Sequence, residues 1–281
     1  MTPPILLPAA HCVSHEAMNT TFTIRLLGDP PQFDGIIREC CCLIDEIEGR
    51  LSRFIDGSEI WRINRLREGE TLYLSEDTHR CLLLAMRACA DTGGLFDITL
   101  GRRIASRKAG ESAPPGVASG RLALHPDQAA ITCEIPGREL DLGGIGKGFA
   151  LDRLREMLID WDIPGGLLGA GASTLLAFGP EAWPVELAGE DGDPVVLALR
   201  DQALGASGTE VQGCHIVHPI DDGDTPYLSD RVWAVATEAA VADAWSTALM
   251  LMNREQVALC LTDPTPLHSA YAELDGVVVR L

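Results

Sequence analysis

The chain has 281 residues, of which 46% are apolar, and a formal net charge of −19. Such a composition excludes a disordered chain and leaves room for one large or two modest domains with a real core. The acidic balance argues against a general binder of nucleic acid or of anionic membrane, and a phosphate would have to be held locally, by backbone amides, a lysine or a metal ion.

Nine cysteines stand at 12, 40, 41, 42, 81, 89, 133, 214 and 260. Their number is odd and no pair has zinc-finger or CxxC spacing, so they read as reduced, mostly buried thiols of a cytoplasmic protein. The apolar run Ile5–Ala10 before His11-Cys12 lacks a basic n-region and is shorter than a signal h-region, so the chain reads as unexported. No stretch approaches the roughly 18 apolar residues of a membrane span.

In chain order, Met18 to Leu27 is rich in Thr, Phe and Ile and reads as a strand, ended by Gly28-Asp29-Pro30-Pro31. Residues 33 to 51 read as an amphipathic helix carrying the cysteine triplet. A turn at Asp56-Gly57 leads into Ser58–Asn64. Ser75 is an N-cap candidate with Glu76 and Asp77 behind it, and that helix stops at Gly93-Gly94. Leu95–Thr99 is a short apolar segment holding Asp97. Residues 106–120 read as a polar, Pro/Gly-rich, mobile loop. Two strands flank His125–Gln128. Gly165–Gly179 reads as one buried strand, short strands fill 183–204, and Val232–Thr237 is another. Glu238–Asn253 is a helix, and residues 268–281 form a hairpin. There is no internal repeat. The irregular alternation predicts an α+β (mixed α/β) fold over 1–281, as one unit or two closely packed subdomains.

The stretch Asp141-Leu142-Gly143-Gly144-Ile145-Gly146-Lys147-Gly148 stands out. Four glycines in six positions let backbone approach something closely, and Phe149, Leu151, Leu154, Met157 and Leu158 then recur at helical spacing. A glycine turn opening a helix, with Lys147 beside it, is either an anion site or a plain strand-to-helix turn. Asp141 can brace that turn. On the helix near the C-terminal end, Asp243 and Thr247 are four residues apart and share one face. They could offer two hard-oxygen ligands to Mg²⁺. The same spacing also suits an exposed Asp with a Thr bonded back to a helix carbonyl. His215 and His218, three apart in an extended segment, point to opposite faces, so at most one lines a given site. There is no Gly-x-Ser-x-Gly elbow, no HExxH, and no partner set that makes Ser207 a triad serine.

Taken in order, Met18-Asn19-Thr20-Thr21-Phe22, Ser58-Glu59-Ile60 with Asn64, Phe96-Asp97-Ile98-Thr99, Asp141–Gly148, Gly171-Ala172-Ser173, Ser207-Gly208, His215–Pro219 and Ala242–Ala248 resemble the FAD:protein FMN transferases, the ApbE family. The resemblance covers roughly residues 18–255. It implies mixed, largely antiparallel sheets packed with helices around a central FAD cleft. It also implies a Mg²⁺-dependent reaction in which a threonine hydroxyl of an acceptor flavoprotein attacks the FMN-side phosphate of FAD and AMP leaves. By the same resemblance, Asp243, Thr247 and a carbonyl near Gly144 are metal ligands. Met18, Thr20, Phe96, Asp97, Lys147, Gly171, Ser173 and Ser207 line the FAD site, and His215 is a base or phosphate contact.

The sequence also departs from the family pattern. Asn19 replaces a usual glycine, Gly171 is followed by Ala172, and His218 stands at a commonly acidic position. Thr209-Glu210-Val211 replace aromatic and basic residues, and Ile220–Gly223 lacks the usual arginine. An FAD pyrophosphatase giving FMN and AMP, and a flavin-binding protein without turnover, are the alternative functions.

Overall fold

The computed structural model describes residues 10–28, 32–109, 119–209, 216–219, 228–262 and 265–281. In Thr20–Leu27 (β2) the residues Phe22, Ile24 and Leu26 are buried and those between them are half-buried, the period-two signature of a strand with one face on a core. β2 is the second arm of a hairpin whose first arm, Ala10–Ala17 (β1), carries no clear strand pattern in its sequence. Met18 and Asn19, expected within the strand, form the turn instead, with φ of 50° and 56°. Two successive left-handed residues mark a type I′ connection, and Asn tolerates that conformation better than most side chains.

Phe33–Leu51 (α1) buries Ile36, Ile37, Cys40, Ile44, Ile47 and Leu51 as one stripe. Ser58 caps the short helix Glu59–Ile63 (α2) by accepting the Trp61 N–H. Thr71–Tyr73 (β3) precedes Glu76–Asp91 (α3), where the Ser75 hydroxyl accepts the Thr78 N–H at 3.3 Å, as its N-cap assignment requires. The chain leaves α3 through Gly93 and Gly94, both left-handed. Gly101–Lys108 (α4) takes in the first residues of the loop expected over 106–120, while 110–118 lie outside the described residues. Arg121–His125 (β4) and Ala130–Ile135 (β5) form the expected pair and join β3 in a sheet of order β3-β5-β4. The glycine turn then opens Gly146–Asp160 (α5).

Gly165–Gly179 is not one strand but two: Gly166–Ala170 (β6) and Thr174–Phe178 (β7), folded back at Gly171–Ser173. A continuous apolar run masks that turn, whose only signal is Gly171 at φ 60°. Trp183–Leu187 (β8) pairs with Val195–Leu199 (β9) as a separate ribbon. Ala203–Gly208 (β10) and Arg231–Ala236 (β11) lead to Ala239–Leu251 (α6) and Arg254–Thr262 (α7), and Leu267–Leu274 (β12) with Val277–Arg280 (β13) makes the terminal hairpin.

The main sheet runs β1-β2-β6-β7-β10-β11-β12-β13, every pair antiparallel. Adjacent strand residues point to opposite faces. Leu168 and Ala203 therefore join the large core under α1, α3, α5 and α6, while Leu167 and Leu204 join a smaller one around Trp183 beneath the β8–β9 ribbon. No two of the described cysteines are joined by a disulfide, and Cys40, Cys81 and Cys133 are buried. Burial pushes the Cys40 thiol up to about 12, so it carries no nucleophile at neutral pH. Cys12 and Cys42 are exposed, against the expectation of mostly buried thiols.

Candidate metal and flavin site

α6 is the most deeply set helix of the fold, and glycines admit it. A Cβ at Gly148 would overlap the Ala239 carbonyl, and one at Gly205 would overlap the Ala242 carbonyl. α5 and β10 thus meet the α6 backbone directly. The α6 N-terminus is held by α5: Asp152 accepts the Ala239 and Ala240 N–H groups at 2.9 and 2.8 Å. Burial pushes the Asp152 carboxyl up to about 6, against the pull of those two amides and of Arg155.

This packing carries Asp243 into the interior, where it is 3% exposed. The alternative of a solvated Asp243 is therefore excluded. Its Oδ1 accepts the Thr174 hydroxyl at 3.2 Å and its Oδ2 the Gly148 N–H at 3.3 Å, with Lys147 Nζ 3.7 Å away. Thr247 does bond back to the Asp243 carbonyl, at 3.3 Å. The same hydroxyl lies 3.5 Å from Ser207 Oγ, which is also 2.8 Å from Ser246 Oγ. Gly144 completes the cluster. A Cβ there would sit 3.2 Å from Thr247 Oγ1 and 3.1 Å from the Phe96 ring.

Four of the six amides from Gly143 to Gly148 are already engaged within the protein. The Gly143 N–H is taken by Asp141 Oδ1, those of Ile145 and Gly146 by the Leu142 carbonyl, and that of Gly148 by Asp243. The Lys147 ammonium lies beside Asp243 and donates to the Gly143 carbonyl. The turn is pinned from two sides: Asp141 N–H donates to the Ile98 carbonyl, and the Asn64 side chain both donates to and accepts from the Leu140 backbone.

The remaining expected residues reach the same place through their neighbours. Gly171 sits at the tip of β6–β7 with its N–H on the Thr21 carbonyl, and a Cβ there would overlap Thr20 Oγ1. The tip thereby meets the Met18–Thr20 turn. The Ser173 hydroxyl is 3.3 Å from Thr174 Oγ1, the group that donates to Asp243. Phe96 is buried against Gly144, whereas Asp97 is occupied by Thr99 and lies 3.6 Å from Arg138. Thr174 is missing from the sequence expectations; a threonine in an apolar run gives no sign of a buried carboxylate across the sheet. His215 lies outside the described residues, but the segment after it is anchored, since Arg103 on α4 donates to the Pro219 carbonyl at 2.8 Å.

The donor set tests the metal expectation directly. A buried carboxylate with long contacts, a hydroxyl one helical turn away and an unshielded glycine backbone are all hard oxygens or bare approach to one, which suits Mg²⁺ and not a soft metal. Among the described residues there is no group of three or more His, Cys, Asp and Glu that could hold a metal. Of the expected ligands, Asp243 alone is a carboxylate. Among the same residues, no helix is long and apolar enough to cross a membrane.

A model of the ApbE family matches residues 18–268. The chain is similar to the FAD:protein FMN transferase of Vibrio cholerae, 24% identical over 273 residues that span 87% of this chain and 82% of that protein. It is also similar to the one of Chlamydia trachomatis, 25% identical over 263 residues spanning 82% and 80%. In structure it matches the flavin transferase ApbE from Vibrio cholerae with a TM-score of 0.81 at 18% identity, covering 97% and 96% of the two chains. It matches the ApbE protein of Thermotoga maritima with a TM-score of 0.83 at 22% identity, covering 97% of each.

Proposed function

The chain belongs to the ApbE family, and we propose that it is an FAD:protein FMN transferase, moving FMN from FAD to a threonine hydroxyl of an acceptor flavoprotein with release of AMP. The observation that carries this reading is the convergence of buried Asp243, Thr247 and Gly144 next to Lys147. Asp243, Thr247 and the Gly144 carbonyl would hold Mg²⁺. Bound there, the ion supplies charge neutralisation for the pyrophosphate, the dominant need of phosphoryl-type transfer.

The protein's own residues supply positioning. The Lys147 ammonium faces the pyrophosphate and adds a second cation in a chain of net charge −19. Thr174 and the Gly148 N–H orient the Asp243 carboxylate. The meeting of Thr20 with Gly171 forms the flavin end, with Phe96 packed under the glycine turn. His215 takes the proton from the acceptor threonine as that oxygen bonds to the FMN phosphorus and the bond to the AMP phosphate breaks, a role contributing about 10²–10⁴-fold.

The test mixes the protein with FAD and Mg²⁺, with and without a candidate acceptor, and follows AMP and flavin fluorescence on a denaturing gel. AMP together with a fluorescent acceptor band is the expected result. AMP formed at the same rate without acceptor, and with no band across a panel of acceptors, would mean an FAD pyrophosphatase; saturable FAD binding without AMP would mean a carrier.

A further inference from the structure

Arg53 stands just past Ser52, the C-cap of α1, and its side chain is only 12% exposed. The guanidinium donates to Glu139 Oε2 at 2.8 Å and to Asp141 Oδ2 at 3.3 Å. The other oxygen of Asp141 accepts the Gly143 N–H at 2.9 Å, and the next residue, Gly144, packs on Thr247. An unbroken chain of contacts thus runs from Arg53 to the oxygen cluster around Asp243. The space for the guanidinium is reserved. A Cβ at residue 101 would strike Arg53 Nη1 and lie 2.8 Å from the Glu139 carbonyl, so Gly101 is required by room and not by backbone angle. Glu139 has a second cation, Arg102, at 3.0 Å. Among the ion pairs of the described residues, Asp141 has Arg53 alone.

Two carboxylates two residues apart repel when both are ionised and partly buried, and the guanidinium between them reverses that sign. We propose that Arg53 is a positioning residue for the metal site: by clamping Asp141 it sets the Gly143–Gly144 turn so that the Gly144 carbonyl faces Asp243 and Thr247. It touches no reacting atom. This rests on the reading of that cluster as a metal site.

The experiment measures Mn²⁺ binding by electron paramagnetic resonance, with no flavin present, on the unaltered chain and on Arg53→Met, Arg53→Lys and Arg50→Met. Arg50 pairs with Asp77 at 2.7 Å away from the cluster and serves as a control for ion-pair loss in general. Arg53→Met should weaken Mn²⁺ binding by about 10- to 100-fold, the range seen when a ligand's supporting partner is removed. Arg53→Lys should recover part of that loss, and Arg50→Met should bind as the unaltered chain does. With FAD, excess metal should restore kcat in Arg53→Met. If Arg53→Met does not fold, Gly101→Ala presses on the same guanidinium without removing its charge and should also weaken Mn²⁺. Unchanged binding in these variants, or an equal loss in Arg50→Met, overturns the positioning role alone. No Mn²⁺ binding by the unaltered chain overturns the metal reading and the positioning role with it.

Discussion

Lys147 Nζ stands 3.7 Å from Asp243 Oδ2 while donating to the Gly143 carbonyl at 3.0 Å, so a tethered cation lies against the carboxylate assigned to the metal. Replacing it with a neutral side chain should act in opposite directions on two ligands. Lys147→Met removes a repulsion on Mn²⁺ in the flavin-free protein and should tighten it a few-fold, while the KM for FAD rises by about two- to fivefold, as expected for one charge near the surface. Titrations of each ligand separately check this; movement of both in the same direction contradicts the assignment.

Asp243→Ala should remove metal-dependent AMP release, because Asp243 is the one carboxylate among the three assigned ligands, Asp243, Thr247 and the Gly144 carbonyl. Far-UV circular dichroism should remain close to that of the unaltered chain, since the substitution deletes a ligand and little core volume. Retention of full Mg²⁺-dependent turnover would falsify the metal site.

The close approach of α6 to its neighbours sets a steric prediction. Gly148→Ala and Gly205→Ala each push a methyl into an α6 carbonyl. Each should cost about 1–3 kcal/mol, typical of overpacking in a close-packed interior, or more where backbone must move. Urea midpoints give the number, and a loss below half of that range means that α6 shifts freely. Thr174→Val, which removes the donor to Asp243, should lower metal affinity and also cost about 1–3 kcal/mol of stability, because it leaves a buried carboxylate oxygen unpaired.

Asp152 predicts a pH dependence. Its folded carboxyl is raised from 3.8 to about 6, chiefly by burial. Between those two values the folded chain holds a proton that the unfolded chain has released. Stability therefore falls as pH rises from about 4 to 6, and the loss is complete above the folded value. In Asp152→Asn that slope should vanish, although the variant is less stable throughout, because an amide offers one acceptor where two N–H groups now bond. Urea unfolding at a series of pH values tests it; parallel curves for the two proteins contradict the shift.

The hairpin turn at Met18-Asn19 gives a smaller, signed effect. Asn19→Gly should be neutral or slightly stabilising. Asn19→Val should cost about 1–2 kcal/mol, because a β-branched residue is strained at φ 56°. Thermal melts of the two variants, run side by side, read the difference.

What could be read from sequence followed the strength of local signals. α1 and α3 carry their own periodicity, and Ser75 its own cap, so both were legible. β1 was not: it is an edge strand whose His, Ser and Glu residues leave no clean alternation. The β6–β7 turn hid inside an apolar run. Asp243 and Thr247 were visible as a pair by spacing, but the burial that rules out a solvated Asp243 comes from Gly148, Thr174 and Gly205, far away in the chain. Arg53 gave no local sign, since its partners Glu139 and Asp141 lie beyond three further helices. Asp97 is a reminder that an acid in an apolar segment can be used up by its own turn, here by Thr99.

The sheet order has a consequence for how the protein is made. β2 pairs with β6, from Phe22 against Ala170 to Leu26 against Gly166, and everything from α1 to α5 is translated between them. At a synthesis rate of about 5–20 residues per second, the β1–β2 hairpin waits on the order of ten seconds for the strand that covers its inner edge. During that interval Phe22, Ile24 and Leu26 have no sheet partner on that side. Slowed translation of the helical middle should therefore lower the soluble yield more than slowed translation after β7, where each new strand of the main sheet pairs with the one made just before it.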